Sequence, residues 1–151
     1  MPDRRLILIA DDSEDDTLLL KQAFKRTHPE IPLRFVDNGQ AAMDYLAGRE
    51  RYADRSRNPF PRLLLLDLKM PMVSGFDVLE WVRDQAGLRR LPVAVLTSSN
   101  QPADINRAYD LGANSYIVKP TTWEDLEALV STLRHYWLHL NQEPDCRGAF
   151  C

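Results

Sequence analysis

The feature that most constrains this chain is an alternation repeated five times. A short apolar run of strand length is followed each time by a longer segment with helical spacing. The runs are Arg5–Ala10, Leu33–Val36, Arg62–Asp67, Pro92–Leu96 and Ser115–Val118. Most have interiors of Leu, Ile, Val and Ala, as a parallel strand covered on both faces requires. Between them lie helix signals. Ser13 caps a helix whose first turn carries Glu14, Asp15 and Asp16, with Asp16 as a short capping-box partner. That helix runs through Leu19, Leu20, Ala23 and Phe24 and stops before Pro29. Asp37-Asn38-Gly39 makes a turn into a second helix, which reaches about Leu46 and stops at Gly48. A third starts near Gly75 and carries Phe76, Leu79 and Val82. A fourth opens on Pro102 and ends at Gly112. A fifth opens on Thr122, with Asp125 three residues on, and persists to about Leu140. Arg49–Pro61 and Leu68–Ser74 read as loops.

Strands separated by helices run parallel, with right-handed crossovers and helices on both faces. The expected fold class is therefore α/β, a three-layer α/β/α sandwich. A length of 151 residues and a balanced composition fit one domain with a real core. We place that domain at residues 1–140, with 141–151 as a short C-terminal tail. Lys and Arg number 19 against 22 Asp and Glu, a formal charge of −3, which argues against a nucleic-acid binder. No apolar run approaches a membrane span, and the N-terminus has no signal-peptide pattern. Cys146 and Cys151 lie in the last six residues, too close together to staple a core. A cytoplasmic location and no membrane partner are the expectations.

In an open α/β sheet, ligands bind beyond the carboxyl ends of the strands. There the sequence delivers Asp11-Asp12, Asp37-Asn38, Asp67, Thr97 and Lys119-Pro120. Singly, each is ordinary: an acid at a strand end caps a helix, a lysine lies on the surface, a threonine forms a turn. Together they suit one chemistry. Two carboxylates about 4 Å apart repel by roughly 4 kcal/mol at an effective dielectric near 20. A cluster of three calls for a proton or a hard divalent cation. A carboxylate can also attack phosphorus and form an aspartyl phosphate. Phosphoryl transfer asks mainly for positioning and charge neutralisation. A metal ion, the Lys119 ammonium and the Thr97 hydroxyl fit those needs.

These residues resemble the receiver domain of two-component response regulators across about residues 5–135. The resemblance rests on Asp11-Asp12, the apolar strand into Asp67, Met70-Pro71 with Gly75, Thr97-Ser98, and Lys119-Pro120 after Tyr116. It implies a flavodoxin-like sheet in strand order 2-1-3-4-5 with five helices. It implies that Asp67 accepts a phosphoryl group from a histidine kinase phosphohistidine. Asp12, Asp67 and the Lys69 backbone carbonyl would ligate Mg2+ or Mn2+, with Asp11 acting through water. Thr97, Ser98 and Lys119 would bind the phosphoryl oxygens. The Lys119–Pro120 peptide would be cis. Thr97 and Tyr116 would form the switch, the tyrosine turning inward once Thr97 moves; its plainer reading is a strand residue with a surface hydroxyl. Such a protein is a phosphoacceptor rather than an enzyme and catalyses only its own phosphorylation and dephosphorylation. The long loop Arg49–Pro61, Ser13-Glu14-Asp15-Asp16 and the aromatic last helix resemble the single-domain regulators found beside bacterial phytochromes. That subgroup implies a phytochrome-type sensor kinase as partner.

After Leu140 only 11 residues follow, too few for a DNA-binding domain, so output through a protein contact or onward phosphotransfer is expected. Leu126, Val130, Leu133, Trp137 and Leu140 form a heptad-like stripe. A helix of that length spans about 28 Å at 1.5 Å per residue. It would overhang a strand of about 17 Å. Tyr136, Trp137, Leu138 and Leu140 would then be free for a homodimer or kinase contact. His135 and His139 read as polar residues near that contact rather than as metal ligands. Two other classes compete. An aspartate-nucleophile phosphohydrolase would carry a second Asp two residues after Asp67, where Lys69 stands. A nucleotide-binding module would need a glycine-rich loop where Asp11-Asp12 stand.

Overall fold

A computed structural model describes residues 5–144. Five strands alternate with five helices: β1 (Ile7–Ala10), α1 (Glu14–Thr27), β2 (Leu33–Val36), α2 (Gly39–Ala47), β3 (Leu63–Leu66), α3 (Gly75–Asp84), β4 (Val93–Thr97), α4 (Pro102–Asp110), β5 (Ser115–Val118) and α5 (Trp123–Leu133). All pairings are parallel, in the order β2-β1-β3-β4-β5. The expected sandwich and strand order are both present.

Side-chain alternation along each strand divides the core in two. Leu8, Ala10, Leu64, Leu66, Val93 and Val95 face α2, α3 and α4. Ile7, Ile9, Leu63, Leu65, Ala94 and Leu96 face α1 and α5. The three inner strands are fully buried, which is why their sequences are continuously apolar. Helix starts follow local chemistry. Ser13, Asn38, Ser74 and Thr122 each accept a backbone N–H from three residues on. Asn38 is thus a helix cap rather than a turn residue, and Ser74 with Asp77 forms the reciprocal box.

Two segments carry structure that the sequence did not signal. The stretch after α2 is a loop, as expected, but a packed one. It holds a 3-10 turn, Glu50–Tyr52, and Tyr52 is buried with its ring 5.0 Å from that of Tyr45. Arg55 donates to the carbonyls of Tyr45 (2.8 Å) and Leu46 (2.7 Å), capping the end of α2 with its charge. The Tyr45 hydroxyl donates to Pro59 O at 2.8 Å. A polar sequence hid this because the loop is held by backbone carbonyls, which carry no sequence signature.

The last helix does not continue as one α-helix. Beyond Leu133 it widens into a π-helical segment, Arg134–Leu140. The inward position therefore falls five residues after Leu133, at Leu138, which is 5% exposed. Leu140, the last member of the heptad-like stripe, is 59% exposed, and Tyr136 is 49% exposed. Only Leu126, Val130, Leu133 and Trp137 of that stripe pack on the sheet cluster. Of the four residues expected to be free, Tyr136 and Leu140 are exposed, whereas Trp137 packs on that cluster and Leu138 is buried in it. Cys146 and Cys151 lie outside the described residues.

Candidate functional site

Strand register builds the site. Ala10 pairs with Leu66, so Asp11 and Asp67 leave the sheet side by side. Thr97 pairs with Val118, so Lys119 follows directly beside it. The ladder continues past the strand ends: Asp67 N–H donates to Ala10 O (2.9 Å), and Lys119 N–H to Thr97 O (2.7 Å). These backbone bonds fix the bases of three functional side chains at one rim.

Asp11, Asp12 and Asp67 bring carboxylate oxygens within 4.8 Å of one another. Asp11 and Asp67 are buried, each 6% exposed, while Asp12 is open to solvent. Lys119 Nζ reaches Asp11 at 2.7 Å, Asp16 at 2.7 Å and Asp67 at 3.3 Å. Burial pushes the Asp11 carboxyl above its usual range, against the hydrogen bonds from Lys119 and from Ser13 N–H. Burial works against the Lys119 charge too. The hydrogen bonds it donates to Asp11 and Asp16, with the field of Asp67, outweigh that and hold the ammonium above its ordinary range. Three carboxylates thus share one ammonium, Asp12 adds a further acid beside Asp11 and Asp67, and the unbalanced charge is what a hard divalent cation satisfies.

Asp16 is the residue that sequence reasoning misassigned. Its backbone N–H does bind the Ser13 cap at 3.3 Å, but its carboxylate goes to Lys119, 103 residues away, instead of back to the cap. The available signal was its place in the first turn of α1, close behind Asp12 at the carboxyl edge of the sheet.

Thr97 is fully buried, and its hydroxyl oxygen has no hydrogen-bond partner. An orphaned buried hydroxyl costs about 1–3 kcal/mol, so it marks a place for an acceptor. Ser98 is exposed at the rim beside it. Tyr116 is half-buried against the core, and its hydroxyl donates to Ser99 O at 2.9 Å. Lys69 N–H approaches Asp67 Oδ1 at 3.4 Å, and its ammonium lies 3.3 Å from Asp104 at the start of α4. Asp104 also accepts from the Ser99 hydroxyl at 2.6 Å, and that bond, more than Lys69, holds its carboxyl below the usual range. Gly75 closes the site from behind. A Cβ there would lie 2.1 Å from Asp67 O and 2.7 Å from Leu68 Cα, so only glycine lets α3 start against the acceptor backbone.

One expectation is corrected. No described peptide bond is cis, so Lys119–Pro120 is trans. Trans is the favoured isomer of an X–Pro bond, and with it Lys119 still keeps its ladder bond to Thr97 and reaches three carboxylates.

Comparison with known proteins agrees with this geometry. The family model described as "response regulator receiver domain" matches residues 7–131. The chain is similar to the probable methanogenesis regulatory protein FilR2 of Methanothrix harundinacea, 37% identical over 92% of this chain and 87% of that protein. It is similar to the response regulator Rcp1 of Synechocystis, 33% identical over 89% of each chain. The Mn2+-bound structure of Rcp1 superposes with a TM-score of 0.81 over 93% of this chain and 99% of that one. The phosphorylated cyanobacterial phytochrome response regulator RcpA superposes with a TM-score of 0.86 at 31% identity, covering 95% of this chain and all of that one. Among the described residues no helix is long and apolar enough to cross a membrane. A matching family model over most of the chain, on a sheet whose carboxyl edge gathers Asp11, Asp12, Asp67, Thr97 and Lys119, places this protein in the response regulator receiver domain family of two-component signalling.

Proposed function

We propose that Asp67 is the phosphoacceptor of this chain and that a sensor histidine kinase of the phytochrome type is its donor. The observation that carries the reading is one oxygen-rich rim where a buried Asp67 meets the Lys119 ammonium and the unpartnered Thr97 hydroxyl. An Asp67 oxygen attacks phosphorus, the P–N bond of the phosphohistidine breaks, and the imidazole nitrogen leaves with the bond pair and takes up a proton. Lys119 neutralises charge on the equatorial oxygens, and Thr97 donates to one of them. Asp12, Asp67 and the Lys69 carbonyl would hold Mg2+ or Mn2+, with Asp11 acting through water; the neighbour Rcp1 is a Mn2+-bound structure. When bound, such an ion neutralises phosphoryl charge. Ser98 keeps the rim open, and Thr97 and Tyr116 carry the switch to α4 and β5. The chain turns over no other substrate. Residues 1–140 act as the receiver unit and 141–151 as a tail; the protein works in the cytoplasm, through protein contacts rather than DNA.

The test is incubation with a small phosphodonor and Mg2+. One phosphoryl group per chain, acid-stable and base-labile and lost in Asp67→Asn, supports the acceptor. Repeated turnover of varied phosphate esters would falsify it in favour of a hydrolase.

The exposed Tyr136 and Leu140 support a second contact, a homodimer through the last helix. Removing the whole segment would also remove the buried Leu138, so the informative variant is Tyr136→Ser with Leu140→Ser. An oligomeric mass unchanged by that pair in a folded protein rejects the dimer.

A further inference from the structure

Lys69 and Asp104 belong to different layers of the site. Lys69 follows the acceptor by two residues, and its backbone N–H points at Asp67 Oδ1 from 3.4 Å. Its ammonium, however, is turned away from the carboxylate cluster and pairs with Asp104 on α4 at 3.3 Å. Asp104 in turn takes the Ser99 hydroxyl at 2.6 Å, and the Ser99 carbonyl takes the Tyr116 hydroxyl at 2.9 Å. One continuous polar chain therefore runs from the residue beside the acceptor, through the first turn of α4 and the loop after β4, to the tyrosine of β5.

The two ends of this chain differ in mobility. The Lys69 side chain is 60% exposed and the Asp104 side chain 21%. An ion pair with so much solvent contact contributes little, so its lysine is readily drawn elsewhere. Lysine carries its charge on a flexible four-carbon stem, and the stem of Lys69 starts within hydrogen-bonding range of Asp67. A phosphoryl group on Asp67 adds about one negative charge and three strong acceptor oxygens at that spot.

We propose that Lys69 is an exchangeable cation, held by Asp104 while Asp67 is a free carboxylate and transferred to the phosphoryl oxygens once Asp67 is modified, and that Asp104 is the positioning residue through which this exchange reaches Ser99 and Tyr116. The proposal rests on Asp67 being the acceptor. No bond is made or broken in the exchange beyond the phosphoryl transfer itself; one ammonium changes partners. When it leaves, Asp104 keeps the Ser99 hydroxyl and the field of Arg107, and the loop after β4 loses the cation that tethers it to the β3 side of the site. The phosphorylation state is thereby communicated to α4 by a route separate from Thr97.

The experiment follows the Asp104 side-chain carboxyl carbon and the Ser99 amide by NMR in the full chain. Phosphoramidate and Mg2+ are added, and intact-protein mass counts phosphoryl groups. In the wild type, both signals are expected to shift in proportion to the phosphorylated fraction. In Lys69→Gln, which has no charge to transfer, phosphorylation still proceeds while the Asp104 carboxyl signal stays within about a tenth of its wild-type displacement; Lys69→Arg restores the shift. Freeing the ammonium in Asp104→Asn is expected to raise the phosphorylation rate by roughly two- to fivefold, the range of one exposed ion pair. Full phosphorylation with an unmoved Asp104 carboxyl, or an equal shift in Lys69→Gln, overturns the exchange and leaves Asp67 as acceptor. No mass gain, or a gain that survives Asp67→Asn, overturns the acceptor reading and the exchange with it.

Discussion

Gly75→Ala separates the placement of the acceptor from the stability of the fold. Gly75 opens α3 with its N–H donated to Leu68 O at 3.0 Å, and the side of its Cα where a Cβ would stand faces the Asp67–Leu68 backbone. An added Cβ would sit 2.1 Å from Asp67 O, and backbone rather than a flexible side chain is what it meets. Reaching even 3.0 Å requires a shift of about 0.9 Å between the start of α3 and the end of β3. Overpacking of this kind costs about 1–3 kcal/mol of stability. Its effect on chemistry is larger, because a misplacement near 1 Å at a reacting group costs about a hundredfold in rate. Gly48→Ala is the matched control. Gly48 ends α2 in a left-handed conformation, φ +67°, away from Asp67, so alanine there costs about 1–2 kcal/mol without touching the rim. The assay pairs urea denaturation with the single-turnover rate of phosphorylation by a small phosphodonor in Mg2+. Gly75→Ala should lose about two orders of magnitude in rate while still folded, and Gly48→Ala should lose less than about twofold. Equal rates in the two variants at matched stability would refute the claim that this glycine positions the acceptor.

Other outcomes follow from single contacts. Thr97→Val removes a buried hydroxyl with no partner, so stability should hold or rise by about 1 kcal/mol in urea denaturation while phosphorylation slows about tenfold. Mg2+ at about 100 times its Kd should raise stability by about 2.7 kcal/mol, read as a rise in Tm, and Asp12→Ala should abolish the rise. Burial raises the Tyr45 hydroxyl to about 12. Its contribution to stability is therefore complete below the ordinary tyrosine value near 10 and is lost as pH climbs through 12; alkaline unfolding curves should show that loss, and Tyr45→Phe should not. Leu138→Ala should cost about 2–5 kcal/mol and Leu140→Ala under about 1, measured on the monomer; the reverse order would restore an uninterrupted α-helical register to the last helix.

Much of this protein was legible in its residues. Apolar strand runs and helix caps are local signals, and a parallel sheet leaves few ways to connect them, so the layers, the rim and the group at Asp11, Asp12, Asp67, Thr97 and Lys119 followed from sequence order. Tertiary structure decided what depends on reach between distant residues. Asp16 carries cap spacing, yet its carboxylate serves Lys119, because a folded rim offers a half-buried ammonium at 2.7 Å that an isolated helix lacks. Arg55 clamps α2 through carbonyls that no sequence pattern encodes. The heptad-like stripe of the last helix assumes a constant period, but packing selects a wider turn and buries Leu138 in place of Leu140. Local chemistry fixes which element forms; only the closed structure fixes which side chains come within a hydrogen bond of each other, since that distance depends on every element between them.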